Sequence, residues 1–181
     1  MTIVAVRFFA NVDDNTIRSL LAKIDEKIKA GVKDFILLIS TQGGWVNSGL
    51  TAYNYLKGLP VNITTHNIGA IDSIGMALYC VGNKRISSPN ARFLIHSVNF
   101  SIQGNLQLSE VQLKEKIESL QIDTQNIAKV IASTIGKNIN DVISYMEKST
   151  ILAPERAKEM GIVTEINEKL FEEGIEVISI N

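Results

Sequence analysis

Phe35-Ile36-Leu37-Leu38-Ile39-Ser40-Thr41-Gln42-Gly43-Gly44 is the stretch whose reading decides the fold. Its first five residues are apolar at every position and too few for a helix, which predicts a strand buried on both faces, as in the middle of a parallel sheet. Thr41-Gln42-Gly43-Gly44 then turns the chain into a helical pattern over 46–56 that stops before Gly58 and Pro60. Upstream, the run 3–10 reads as a strand. Asp13 or Asp14 then caps a helix with Ile17, Leu20, Leu21, Ile24 and Ile28 at helical spacing, ending near Gly31. Downstream, 61–67 alternates and is β-branched, so it is a strand; Gly69 turns the chain toward a short apolar helix from Ser73 to about Val81. Strand, turn and helix recur, which is the pattern of an α/β protein with a parallel sheet crossed by helices.

The remaining chain extends this pattern. Strands are expected at 85–87 and 93–98, separated by a Ser88-Pro89-Asn90 turn. One helical stretch runs over 108–135; at ~1.5 Å per residue it spans about 40 Å, longer than a domain of this size needs, so part of it should project. Asn138 caps a helix through Met146, Pro154 to Met160 forms another closed by Gly161, and late strands are expected at 163–166 and 175–180.

Composition sets the outer bounds. The 181 residues are 45% apolar and 20% charged, with a net charge of −1. Such a chain buries enough surface to fold, and its length suits one domain, 1–181. No basic block offers a footprint for nucleic acid, and no apolar run approaches the ~20 residues that would span a membrane. The N-terminal residues lack the basic and apolar regions of a secretory signal, so a cytoplasmic location is expected. A single cysteine, Cys80, excludes an internal disulfide and a thiolate zinc cluster, and two histidines leave little for a metal. No cofactor is expected. A mean hydropathy of +0.13 is high for a solitary small domain and points toward oligomerisation.

Three polar features fall where strand–turn–helix units end, the place where open α/β sheets bind ligands. Gly43-Gly44 permits a close backbone approach and an unusual φ, so that an N–H can face an oxyanion; a plain tight turn is the simpler reading. Ser73 opens an apolar helix, where free N–H groups favour negative charge; a capping serine is the simpler reading. His96 ends the strand Phe93-Leu94-Ile95 and would reach the sheet edge. Cys80 and His66 read as structural, Tyr53 and Tyr55 as packing or interface residues, and 165–173 as a solvated acidic face.

Taken in order, Gly43-Gly44, Gly69-Ala70-Ile71-Asp72-Ser73-Ile74-Gly75 and Pro89-Asn90-Ala91-Arg92-Phe93-Leu94-Ile95-His96 resemble the proteolytic subunit of the Clp protease. The likeness runs from Phe8 to about Ile166 and takes in Gln103-Gly104 and Ala157 to Val163. It implies a Clp-peptidase and crotonase-like fold of repeated β-β-α units, with a projecting handle over about 98–136. It also implies a serine-type endopeptidase: Ser73 attacks a peptide carbonyl, His96 is its general base, and the N–H groups of Gly44 and Ile74 hold the oxyanion. Substrate would lie as an added strand along Gly43, Trp45 and Val46 and along Phe100 and Gln103.

The departures from the family are as specific. An ungapped alignment of 152–161 sets Ser149 where the family carries its catalytic aspartate, leaving Ser149, Glu147 or Asp141 as candidate third members, with Asp72 beside the nucleophile less suited. Lys148 replaces the family's arginine beside that aspartate, which removes bidentate pairing. Trp45 is bulkier than the usual residue and narrows the groove. The resemblance implies a homo-oligomer of heptameric rings stacked in pairs through the long helix. The short stretch ahead of the first strand lacks the family's axial loop, so docking to a Clp ATPase unfoldase is expected to be weak or absent. An inactive ring subunit, or a crotonase-like acyl-CoA enzyme sharing the paired N–H oxyanion hole, are the alternative functions.

Overall fold

The computed structural model describes residues 3–99 and 107–180. Its centre is the predicted buried strand, β2 (Asp34–Thr41), with β1 (Ile3–Phe8) and β3 (Asn62–Asp72) parallel to it on either side. The sheet runs β6-β5-β3-β2-β1-β8, with β4 (Lys84–Ser87) also pairing β3 and β7 (Glu165–Ile166) pairing β4. All pairings are parallel except that of β5 (Arg92–Ile95) with β6 (Thr150–Leu152), and β8 (Glu176–Ile180) closes the β1 edge.

Helices cover this sheet where the apolar spacing placed them. In α1 (Asp14–Lys29) the Asp13 carboxylate accepts from the N–H groups of Asn15 and Thr16, and Thr16 returns the bond to the Asp13 N–H. Ile17, Leu20 and Ile24 face the core. The α2 helix (Val46–Gly58) follows the Gly43-Gly44 turn, and α3 (Gly75–Cys80) is buried at every residue. Tyr79 packs edge-on against Phe93 and donates to the Ile86 carbonyl, and burial pushes the Cys80 thiol up to about 11, as befits a core cysteine. Arg85 ties β4 to the chain after α6 (Pro154–Glu159), its guanidinium donating to the carbonyls of Ile162, Gly161 and Gly82.

Four expectations are corrected. The β3 strand continues past Gly69 to Asp72, because Gly69 sits in a register shift rather than a turn: Ile39 pairs Asn67, but Thr41 pairs Ile71. Ser73 precedes α3 by two residues instead of opening it. The β5 strand ends at Ile95, so His96 follows it. The three-residue β6 was not anticipated; it pairs Ile95 with Thr150 and brings Ser149 beside the end of β5.

The long helix is α4 (Glu110–Ile135), capped by Ser109 and closed by left-handed Gly136. Its 26 residues extend about 39 Å at ~1.5 Å each. Only Ile127, Ala128, Val130, Ile131 and Ala132 are buried, so the first half projects. The α5 helix (Ile139–Glu147) packs behind it, with Asn138 as its cap.

His66 is wholly buried between β2 and β4. Its Nε2 lies 3.2 Å from Ser88 Oγ, while Nδ1 has no partner among the described residues. Desolvation lowers its pKa below the ordinary 6.5. The folded state therefore binds the proton less readily than the unfolded chain, so stability is full above pH 6.5 and falls as pH drops below it. Denaturant midpoints should fall between about pH 8 and about pH 5.5, and His66→Gln should remove most of that slope. An unchanged slope in the variant would assign the loss to other groups.

Candidate functional site

The sheet brings the three sequence features to one edge, at the C-terminal ends of β2, β3 and β5. Ser73 occupies the turn between β3 and α3 with φ 57°, a left-handed conformation that costs a non-glycine residue about 1–3 kcal/mol unless its surroundings impose it. Here they do. The Ser73 N–H donates to the Leu94 carbonyl at 2.9 Å, and the Ser73 carbonyl accepts from Met76 N–H at 3.0 Å. Ser73 is half-buried, with Ile74 and Gly75 fully behind it.

The glycine turn lies directly against this serine. A Cβ at Gly43 would come 2.7 Å from Ser73 Cβ and 2.8 Å from the Asp72 carbonyl oxygen, and one at Gly44 would collide with the Val12 carbonyl. Both glycines also have positive φ, 87° and 146°. Val12 fixes the turn from one side: its N–H donates to the Gly43 carbonyl at 2.8 Å, and its carbonyl accepts from Trp45 N–H at 2.7 Å. That pairing turns the Gly44 N–H away from Val12. Among the described residues neither the Gly44 nor the Ile74 N–H has an acceptor, and Ile74 N would be 3.4 Å from a Cβ at Gly43. Two unpaired donors thus flank the Ser73 turn.

His96 is half-buried just beyond β5. Its Nδ1 donates to the Ser97 carbonyl at 2.7 Å, which leaves Nε2 as the unprotonated nitrogen of the neutral ring. That tautomer is the one a general base needs. Among the described residues His96 makes no hydrogen bond to Ser73 or to Ser149. Antiparallel pairing of Phe93, Leu94 and Ile95 with Leu152, Ile151 and Thr150 leaves His96 and Ser149 as the next residues along the two strands. Ser149 is exposed, with φ 50°, and its N–H donates to Met146 as the chain leaves α5. Glu147 is exposed at the same end of α5, Asp141 lies in its first turn, and neither bonds His96.

Sequence reasoning gave Arg92 no role. Its Nη2 donates to Asp72 Oδ2 at 2.7 Å, so the carboxylate beside the proposed nucleophile is ion-paired across β3 and β5. The signal was the likeness motif itself, which sets an arginine four residues before the histidine, but only the strand register reveals its partner.

A groove of about 580 Å³ opens beside Gly44. One wall is Gly44, Trp45, Val46, Asn47 and Ser48; the other is Lys116, Ser119, Leu120 and Asp123 of α4, with Val98 and Asn99 between. Trp45 is 64% exposed at its mouth. Ser48 Oγ donates to Asp14 Oδ1 at 2.6 Å, and partial burial holds the Asp123 carboxyl above its ordinary range. Trp45 and Val46 line this groove and Gly43 precedes its Gly44; Phe100 and Gln103 fall outside the described residues.

Comparison with known proteins agrees with this fold. A ClpP1 mutant from Listeria monocytogenes has a similar structure, with a TM-score of 0.82 over 91% of each chain at 20% identity, which establishes the Clp-peptidase fold. The sequence model of the Clp protease family matches residues 5–170. The chain belongs to the Clp protease family.

Proposed function

We propose that this chain is a serine-type endopeptidase acting on short peptides or unfolded segments, with Ser73 as nucleophile and His96 as general base. The observation that carries the reading is the strained Ser73 turn packed on Gly43, flanked by the two unpaired N–H groups of Gly44 and Ile74. A substrate strand laid beside Gly44 to Val46 would present its carbonyl carbon to Ser73 Oγ. As the C–O bond forms, His96 Nε2 takes the hydroxyl proton, and the carbonyl oxygen, now negative, is met by the Gly44 and Ile74 donors. The imidazolium returns its proton to the departing amine, and a water activated by the same nitrogen releases the acyl group. Two donors already held by the fold need little reorganisation at the transition state.

The position next to His96 is where this chain departs from its family. We propose Ser149 as the third member: its hydroxyl would take over the Nδ1–H that the Ser97 carbonyl holds, as a weaker partner than a carboxylate for an imidazolium. A second reading, an impaired or inactive ring subunit, is favoured by the same observation, since among the described residues no carboxylate bonds His96. We also propose that copies assemble through α4, where Val111, Leu113, Ile117 and Ile122 are between 43% and 64% exposed. Paired heptameric rings would bury them.

Turnover of a fluorogenic, unstructured peptide should fall by roughly 10³-fold or more in Ser73→Ala and in His96→Ala. Ser149→Asp should raise kcat by about 10-fold or more, since the new carboxylate would stand beside His96 and aspartate tolerates left-handed backbone. Turnover that survives Ser73→Ala would remove the proposed nucleophile, and a wild type silent on all peptides but awakened by Ser149→Asp would establish the inactive subunit. In light scattering, Ile117→Glu should yield a smaller species than the wild type; an unchanged mass would place the interface elsewhere.

A further inference from the structure

Asp72 is the residue before Ser73, and it is only 6% exposed. Its Oδ2 accepts from Arg92, but Oδ1 is buried without a hydrogen-bond partner among the described residues. A buried carboxylate oxygen with no donor is unfavourable. The parallel register sets Asp72 beside Leu94, with Arg92 two residues before Leu94 and His96 two residues after. Arg92 reaches Asp72 from one side; the same step in the other direction leads past the end of β5 at Ile95 to His96. Asp72 is therefore a largely buried charge on the strand next to the chain that leads into His96.

We propose that Asp72 is a positioning residue for His96: its carboxylate supplies, at a distance, negative potential that stabilises the protonated ring, while Arg92 holds the carboxylate and attenuates its field. This rests on the peptidase reading, in which His96 carries the proton of Ser73 between attack and release of the amine. It gives the chain a carboxylate on β3 where Ser149 offers none on the β6 side. Other charged groups stand on the elements near the end of β5. Glu147 and Lys148 precede Ser149 at the end of α5, and Lys116 and Asp123 of α4 line the groove with Val98. Asp72 and Arg92 differ from these in being paired and, for Asp72, buried.

The protein has only two histidines, so ring-proton NMR titration reads His96 directly, with His66 as an internal control for the fold. Asp72→Asn leaves Arg92 uncompensated and should lower the His96 midpoint by about half a pH unit; Arg92→Gln leaves Asp72 uncompensated and should raise it by a similar amount. Arg92→Lys should return it close to the wild-type value. Shifts of the same sign in Asp72→Asn and Arg92→Gln, or none above about 0.1 unit, would overturn the proposal. Should Asp72→Asn fail to fold, the rise in Arg92→Gln decides alone, its absence overturning the proposal. The titration needs no turnover, so it separates this proposal from the peptidase reading: opposite shifts in a chain that cleaves nothing would leave the coupling in place and remove the peptidase.

Discussion

The hydrogen bond from the Ser73 N–H to the Leu94 carbonyl is the constraint on which the site depends. It holds a non-glycine residue in left-handed backbone at the end of β3, and it joins that residue to the strand that delivers His96. The turn stays there only because Gly43 lets the neighbouring backbone come within van der Waals reach of Ser73. Gly43 in turn is placed by Val12, whose backbone brackets the glycine pair on its far side. Serine, glycines and histidine strand thus fix one another, and the donors of Gly44 and Ile74 are left unpaired as a consequence. A site built this way is held by main-chain contacts, the kind of preorganisation that the proposed hydrolysis would use.

The long helix and the sheet divide the apolar surplus seen in the composition. The sheet absorbs most of it: β1 and β2 are buried along most of their lengths, and α3 is buried throughout. The remainder lies on the projecting half of α4, where Val111, Leu113, Ile117 and Ile122 stay exposed. The same helix supplies Lys116, Ser119, Leu120 and Asp123 to the groove. Assembly through α4, as proposed, would bring neighbouring copies close to this wall of the groove.

Much of this was legible in the sequence, for physical reasons that differ by element. The uninterrupted apolar run 35–39 can satisfy itself only at the centre of a sheet, and the Asp13 cap with its helical spacing needs no tertiary information. The order of Gly43-Gly44, Ser73 and His96 disclosed the family, and the fold brings the three together. What escaped was non-local. The extent of β3 beyond Gly69 depends on a register shift against β2, and the left-handed Ser73 depends on Leu94, twenty-one residues away. Three residues of β6 carry too weak a pattern to announce a strand, yet they pair Thr150 with Ile95 and bring Ser149 to the end of β5. The partner of Asp72 lay in the quoted motif, but ion pairs across strands are invisible until the register is known.

The central claim is that Ser73 is an activated nucleophile served by His96. Treating the protein with a fluorophosphonate and locating the adduct by peptide mass spectrometry tests it most directly. The account predicts one phosphonyl group on Ser73 and its loss in His96→Ala, while the fold, read from the His66 resonance, is retained. An unmodified Ser73 under conditions that label a known serine peptidase, or labelling indifferent to His96→Ala, would contradict it.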